Sequence, residues 1–137
     1  MAELSPAVRA FLAEPRFCVF ATIAPDGLPH LTVVWYELQG DEIMMNIGRK
    51  RAKFAYLRRD PRGSCCIEDG ARYVTVGGPC TLQWADQEAA QADIKRLATR
   101  YDGPERAEEE AESQFRHEER VTIRLRIARV DARGFDD

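Results

Sequence analysis

The chain is poor in the residues that build metal centres and nucleophilic sites. It has two histidines and four cysteines in 137 residues. His30 and His117 lie far apart, with no partnering ligand pattern. Cys18, Cys65, Cys66 and Cys80 contain no CxxC pair, and the adjacency of Cys65 and Cys66 suits neither a zinc knuckle nor a disulfide scaffold. Each falls in an apolar, strand-like run, so the cysteines are expected to be buried small hydrophobes in a reducing cytoplasm, and no metal site is expected. No apolar run approaches the roughly 18 residues of a membrane span. The opening stretch, MAELSPAVRAFLAEPRF, has no continuous apolar segment and carries acids, so a secretory leader is not expected there. A cytoplasmic location follows as the expectation. Also missing are a nucleophile elbow, HExxH, GxGxxG, a P-loop, and any readable Ser/His/Asp or Cys/His set. If the chain catalyses a reaction, the hard chemistry falls to a cofactor, with the protein supplying binding and orientation.

What is present is an ordinary globular composition, 45% apolar and 31% charged. The length predicts one domain over residues 1–137, with one real core but little material to enclose a large ligand alone. A net charge of −3 weighs against bulk binding of nucleic acid or an anionic membrane. The charge is unevenly spread. Arg49–Arg62 (RKRAKFAYLRRDPR) holds seven of the twenty basic residues and a single acid, Asp60. Ala52–Leu57 reads as a short helix stopped by Asp60-Pro61, so Arg49, Lys50, Arg51 and Lys53 crowd its N-terminus. The helix dipole disfavours cations there by about 0.3–1 kcal/mol each. A bound phosphate would reverse that cost, because a helix N-terminus is itself an anion site.

Along the chain, Ser5-Pro6 caps a short helix with Val8, Phe11 and Leu12 on one face, ended by Pro15. Residues 16–24, 28–38 and 42–48 read as three strands joined through Pro25-Asp26-Gly27 and Gly40-Asp41, an antiparallel meander. Residues 63–68 and 72–84 read as two more, the second bent at Gly77-Gly78-Pro79. A helix opens at Asp86 and buries Ala90, Ile94, Leu97, Ala98 and Tyr101. An acidic helix from about Pro104 to His117 reads as a solvated face. Val121, Ile123, Leu125 and Ile127 alternate with polar residues in a last strand, one face core and the other polar. Six short strands with peripheral helices favour a small closed or split barrel, mainly β. On the second strand, His30, Thr32 and Val34 share one face. A Thr/Val wall near Trp35 suits a flat heteroaromatic ring; a strand buried on both faces would read the same way.

The run PDGLPHLTVVWYE, then GDEIMMNIGRKRAKFAYLRRDPR, resembles the flavin/deazaflavin oxidoreductase superfamily, whose members share the six-stranded pyridoxamine-phosphate-oxidase-like split barrel that also binds FMN. It is most similar to the PPOX-class branch dependent on the deazaflavin coenzyme F-420. The likeness covers Leu12 to Trp84 and the strand at 120–130. Its most specific pieces are Arg51-Ala52-Lys53 and Leu57–Arg62, supported by Asp26–Pro29. The resemblance implies a homodimer with cofactor in grooves between protomers. Arg51 and Lys53, helped by Lys50, would hold the cofactor phosphate. Thr32, Val33, Val34 and Trp35 would line the ring, with Ile47 and Gly48 nearby. The oligoglutamate tail of F-420 would engage Arg49, Arg58 and Arg59. Val33 departs from relatives that place a polar residue near the ring. The expected activity is hydride transfer between F-420 and a small organic acceptor. FMN in place of F-420, a non-catalytic cofactor or haem carrier, and a single-strand nucleic-acid binder using Phe54 and Tyr56 among the cations remain alternatives.

Overall fold

The computed structural model describes residues 3–135. Helix α1 (Pro6–Ala13) starts where the Ser5 hydroxyl accepts the Val8 N–H at 3.2 Å, and it buries Val8, Phe11 and Leu12. The strands are β1 (Cys18–Ile23), β2 (Pro29–Val34), β3 (Glu37–Gln39), β4 (Glu42–Gly48), β5 (Arg62–Glu68), β6 (Tyr73–Gln83), β7 (Arg120–Arg126) and β8 (Arg129–Arg133). Helices α2 (Ala52–Arg59), α3 (Gln87–Asp102) and α4 (Pro104–Ser113) are followed by a 3-10 turn, Phe115–His117. All strands form one antiparallel sheet in the order β2-β1-β5-β6-β7-β4-β3, with β8 added to β6. The sheet curls around Phe20, Ile43, Met45, Ile67, Val76, Ile123 and Leu125, with Phe11 and Leu12 packed into the same core. This is the split barrel expected from the sequence.

The described residues form eight strands rather than six. Residues 28–38 do not form one strand. The chain breaks at Trp35-Tyr36 because Tyr36 turns fully inward and its hydroxyl donates to the Leu12 carbonyl at 2.9 Å. Both hairpins of the expected meander form, β1 with β2 and β3 with β4, but the break parts them: β2 ends the sheet on one side and β3 on the other, with β4 pairing on to β7. The other unforeseen strand, β8, returns along the first half of β6. Strand β6 changes partners around its glycines, pairing with β5 as far as Pro79 and with β8 as far as Gly77, then with β7 from Cys80 on. There the backbones nearly touch, and a Cβ on Gly78 would lie 1.8 Å from the Arg126 carbonyl oxygen.

Two further expectations change. The polar face of β7 is not solvated along its length: Arg120 and Thr122 are buried, because α3 packs across that side. The acidic helix is not merely a solvated face. Ala107 and Phe115 join Met44, Ile94, Leu97 and Ala98 in a second cluster, so α4 and the 3-10 turn close over α3 with their few apolar residues. Cys18, Cys65 and Cys80 are buried and all four thiols are free. Burial pushes the Cys80 thiol up to about 12 and the Cys65 thiol well above its ordinary value, so neither is a nucleophile at neutral pH.

Candidate functional site

Strands β2 and β4 do not pair, and a groove of about 500 Å³ occupies the split beside them. Thr32, Val33, Val34 and Trp35 from β2 and its end form one wall. Asn46, Ile47 and Gly48 of β4 form the floor, and Arg51 and Lys53 from the start of α2 stand at one end. Eight of the nine residues singled out from the sequence thus line one groove. The ninth, Lys50, lies beside it in a cavity of about 860 Å³ that shares Gly48 and Arg51 with the groove.

The electrostatics of the cationic end follow from the sequence at the β4–α2 junction. Arg51 is the N-cap of α2, and its side chain makes no capping hydrogen bond, so the first-turn N–H groups lack the usual acceptor. Lys53, the second residue of the helix, is 6% exposed and pairs with no acid among the described residues. Burial lowers its pKa first, and repulsion from Arg51 adds to the shift. Lys50 and Arg51 likewise have no acidic partner among the described residues. The other cations of the basic stretch are occupied. Arg49 pairs with Glu119 at 2.8 Å, Arg59 donates to the Ile23 carbonyl at 3.0 Å, and Arg62 pairs with Asp60 at 2.8 Å. Arg58 lies over the rings of Phe54 and Trp84, 5.7 and 5.5 Å from their centroids. Arg49, Arg58 and Arg59, which the sequence offered to an anionic tail, are thus all engaged, and Lys50, expected at the phosphate, is the unpaired cation beside Arg51 and Lys53 among the described residues.

The walls suit a flat ring. The Thr32 hydroxyl is buried with no hydrogen-bond partner among the described residues. Trp35 stacks on Tyr101 at 5.2 Å, and Phe17 stacks on the same ring at 6.0 Å. The far side is built by Ile94 of α3, Glu110 of α4, Gln114 and Phe115. Burial, then a hydrogen bond shared with the Asp102 carboxyl, raises the pKa of Glu110. Sequence reasoning missed these residues, together with Phe17, Asn46 and Arg120. Only Arg120 carried a signal, as a cation opening an alternating strand. No group of three or more His, Cys, Asp or Glu placed to hold a metal ion occurs among the described residues. Among the described residues no helix is long and apolar enough to cross a membrane.

Comparison with known proteins agrees with this architecture. The conserved hypothetical protein Rv2991 from Mycobacterium tuberculosis is 31% identical, with a TM-score of 0.78 over 95% of this chain and 84% of that one. A protein described as an F420 reductase is 22% identical, with a TM-score of 0.75 over 93% of this chain and 98% of that one. HutZ, the haem storage protein from Vibrio cholerae, is 17% identical, with a TM-score of 0.72 over 98% and 97% of the two chains. These last two likenesses are of fold. The family model for pyridoxamine 5'-phosphate oxidase matches residues 4–134, nearly the whole of the sequence. The chain belongs to the pyridoxamine 5'-phosphate oxidase family of split barrels.

Proposed function

We propose that this chain is a hydride-transfer oxidoreductase that holds the deazaflavin coenzyme F-420 in the β2–β4 groove and acts on a small organic acceptor. The observation that carries the reading is Lys53, a buried cation with no acidic partner among the described residues, beside an Arg51 that likewise has none there. A buried unpaired charge is costly, and an anionic ligand offsets that cost. Arg51, Lys53 and the uncapped first turn of α2 fit a phosphodiester. The orphan Thr32 hydroxyl and the β2 wall fit the polar edge and face of a tricyclic ring. When bound, reduced deazaflavin supplies the hydride. The protein orients the ring, screens it from water and needs no acid–base pair of its own to begin.

Two features favour F-420 over FMN. The adjoining cavity, with Lys50 and His117, gives a carboxylate-rich tail somewhere to lie, whereas FMN ends at its phosphate. An F420 reductase is among the structurally similar proteins. The haem-carrier reading is weaker, since no histidine lines the groove among the described residues. The same reading includes a homodimer. Phe17, Val19, Leu28, Leu31 and Val33 are between 38% and 66% exposed, and Val19, Leu31 and Val33 lie on the strands β1 and β2. Phe17 and Val33 also line the groove, so a second copy seated there would roof the ligand. Fluorescence titration of the purified protein with F-420 and FMN in competition tests the assignment. F-420 binding more tightly is the expected result. FMN winning by about tenfold, a difference of about 1.4 kcal/mol, transfers the site to a flavin.

A further inference from the structure

Arg120 opens β7, lines the groove and is 6% exposed. Its guanidinium is fixed by three contacts. Nε donates to Asn46 Oδ1 at 2.9 Å, Nη1 donates to Glu118 Oε1 at 2.6 Å, and the group lies 5.1 Å from the centroid of the Phe115 ring. Asn46 is held in turn: its Nδ2 donates to the Ala90 carbonyl at 2.9 Å and to Thr122 Oγ1 at 3.2 Å. The Thr122 hydroxyl donates to Asp93 Oδ2 at 2.7 Å. Arg120 is therefore an anchored cation with donors to spare, since a guanidinium carries five N–H bonds.

Glu118 is anchored differently. Its carboxylate touches only Arg120, and its side chain is 38% exposed against 7% for Arg120. The pair lies over Gly48, where a Cβ would sit 3.7 Å from Arg120 Nη1 and 3.9 Å from Glu118 Oε2. Gly48 is also where the groove meets the cavity holding Lys50 and Arg51. Glu118 thus stands where the groove meets the cavity, paired with Arg120 and lining the same cavity as Lys50 and Arg51. Burial lowers the Arg120 pKa, Glu118 offsets part of that, and repulsion from Arg51 adds to the lowering.

We propose that Glu118 is an internal counter-anion for Arg120, and that Arg120 is a further ligand-binding residue handed from Glu118 to an anionic group of the ligand. A phosphate or carboxylate oxygen brought to Arg120 over Gly48 meets the Glu118 carboxylate as a like charge, so the two compete for the one guanidinium. Arg120 is held by Asn46 and Phe115 and stays in place. Glu118 can swing into solvent. The exchange keeps the buried Arg120 neutralised in the empty protein, and the ligand's own anion takes over that role when the half-exposed Glu118 leaves. The proposal rests on the reading of Arg51 and Lys53 as an anion site.

The test is affinity for F-420 and for inorganic pyrophosphate in wild type, Glu118→Gln, Glu118→Ala, Arg120→Gln and Arg51→Ala, with melting temperatures of the ligand-free proteins. Both Glu118 variants are expected to bind each probe about threefold or more tightly, because a competing charge is gone. Arg120→Gln is expected to weaken both by about tenfold or more. If Glu118 serves only to position Arg120, its loss weakens binding instead, and that sign overturns the proposal. Unchanged affinity in both Glu118 variants overturns it too. Should Arg120→Gln fold poorly, the sign at the exposed Glu118 still decides. Weaker binding in Arg51→Ala without tightening at Glu118 refutes the counter-anion alone. No loss in Arg51→Ala refutes the anion site itself.

Discussion

Replacing Lys53 by Met keeps most of the aliphatic stem and removes the ammonium, so it isolates the charge. Lys53 sits at the second position of α2, 6% exposed, beside Arg51 and without an acid. A cation there opposes the helix dipole by about 0.3–1 kcal/mol, and burial adds to that. Ligand-free Lys53→Met is therefore expected to be more stable by about 0.5–2 kcal/mol, or roughly 2–8 °C in melting temperature for a domain of this size. Binding moves the other way. A charge-assisted hydrogen bond contributes about 1.5–3 kcal/mol, so cofactor affinity should fall roughly tenfold to a hundredfold. A pH signature accompanies these changes. The folded-state pKa of Lys53 is lowered, by burial first and by Arg51 second, so the unfolded chain holds this proton more tightly. The penalty is complete below the folded pKa and fades as pH climbs from that value to the ordinary lysine value. The melting-temperature gap between Lys53→Met and wild type should then narrow with rising pH through that window, and calorimetry on both ligand-free proteins measures it. A variant that melts below wild type while binding cofactor unchanged would refute both the buried-charge account and the anion site.

Three other outcomes are expected. Light scattering should give a dimer at micromolar concentration, and Leu31→Asp on the exposed face of β2 should yield a monomer that stays folded; a monomeric wild type would remove the shared-groove arrangement. Gly78→Ala places a methyl group 1.8 Å from the Arg126 carbonyl oxygen, so the strand crossing must open, and circular dichroism should show loss of cooperative melting. Tyr101→Phe removes a hydroxyl that accepts the Tyr36 N–H at 3.0 Å and reaches the Arg16 carbonyl at 2.6 Å. It should lower stability by about 1–3 kcal/mol, as read from denaturant midpoints; an unchanged midpoint would mean water replaces the hydroxyl.

Local features were the legible ones. The Ser5 cap, the Asp26-Gly27 turn, the helix from Asp86 and the placement of cations at the start of α2 all depend on neighbours within one or two turns, and all are present. Alternation in β7 identified a core face and a polar face but not what covers them, and Thr122 on the polar face is buried where α3 packs, as is Arg120 at the strand's start. Tyr36 could not be recognised as a strand break, because its inward turn depends on the Leu12 carbonyl, 24 residues earlier. The same limit applied to charge. The seven basic residues were visible at once, but only the fold shows Arg49 on Glu119, Arg58 over Trp84 and Arg59 on Ile23. The residues on the groove's far wall come from the helical stretch with the weakest sequence pattern, and Glu110 and Phe115 were read there as surface.

The pairing of β4 with β7 has a consequence for how the protein is made. Asn46 and Thr122, hydrogen-bonded in the finished barrel, are 76 residues apart in sequence. During synthesis the Ile43–Ile47 run leaves the ribosome long before its partner strand exists, and β3 offers it only three residues of cover. The β1–β2 and β5–β6 hairpins can assemble early, whereas β4 must wait, a non-local pairing of the kind that slows folding. A nascent chain therefore carries an adhesive strand for most of its translation, the natural target for a holding chaperone. The groove floor is that same strand, so a chain gains its groove only at the step that ends this exposure.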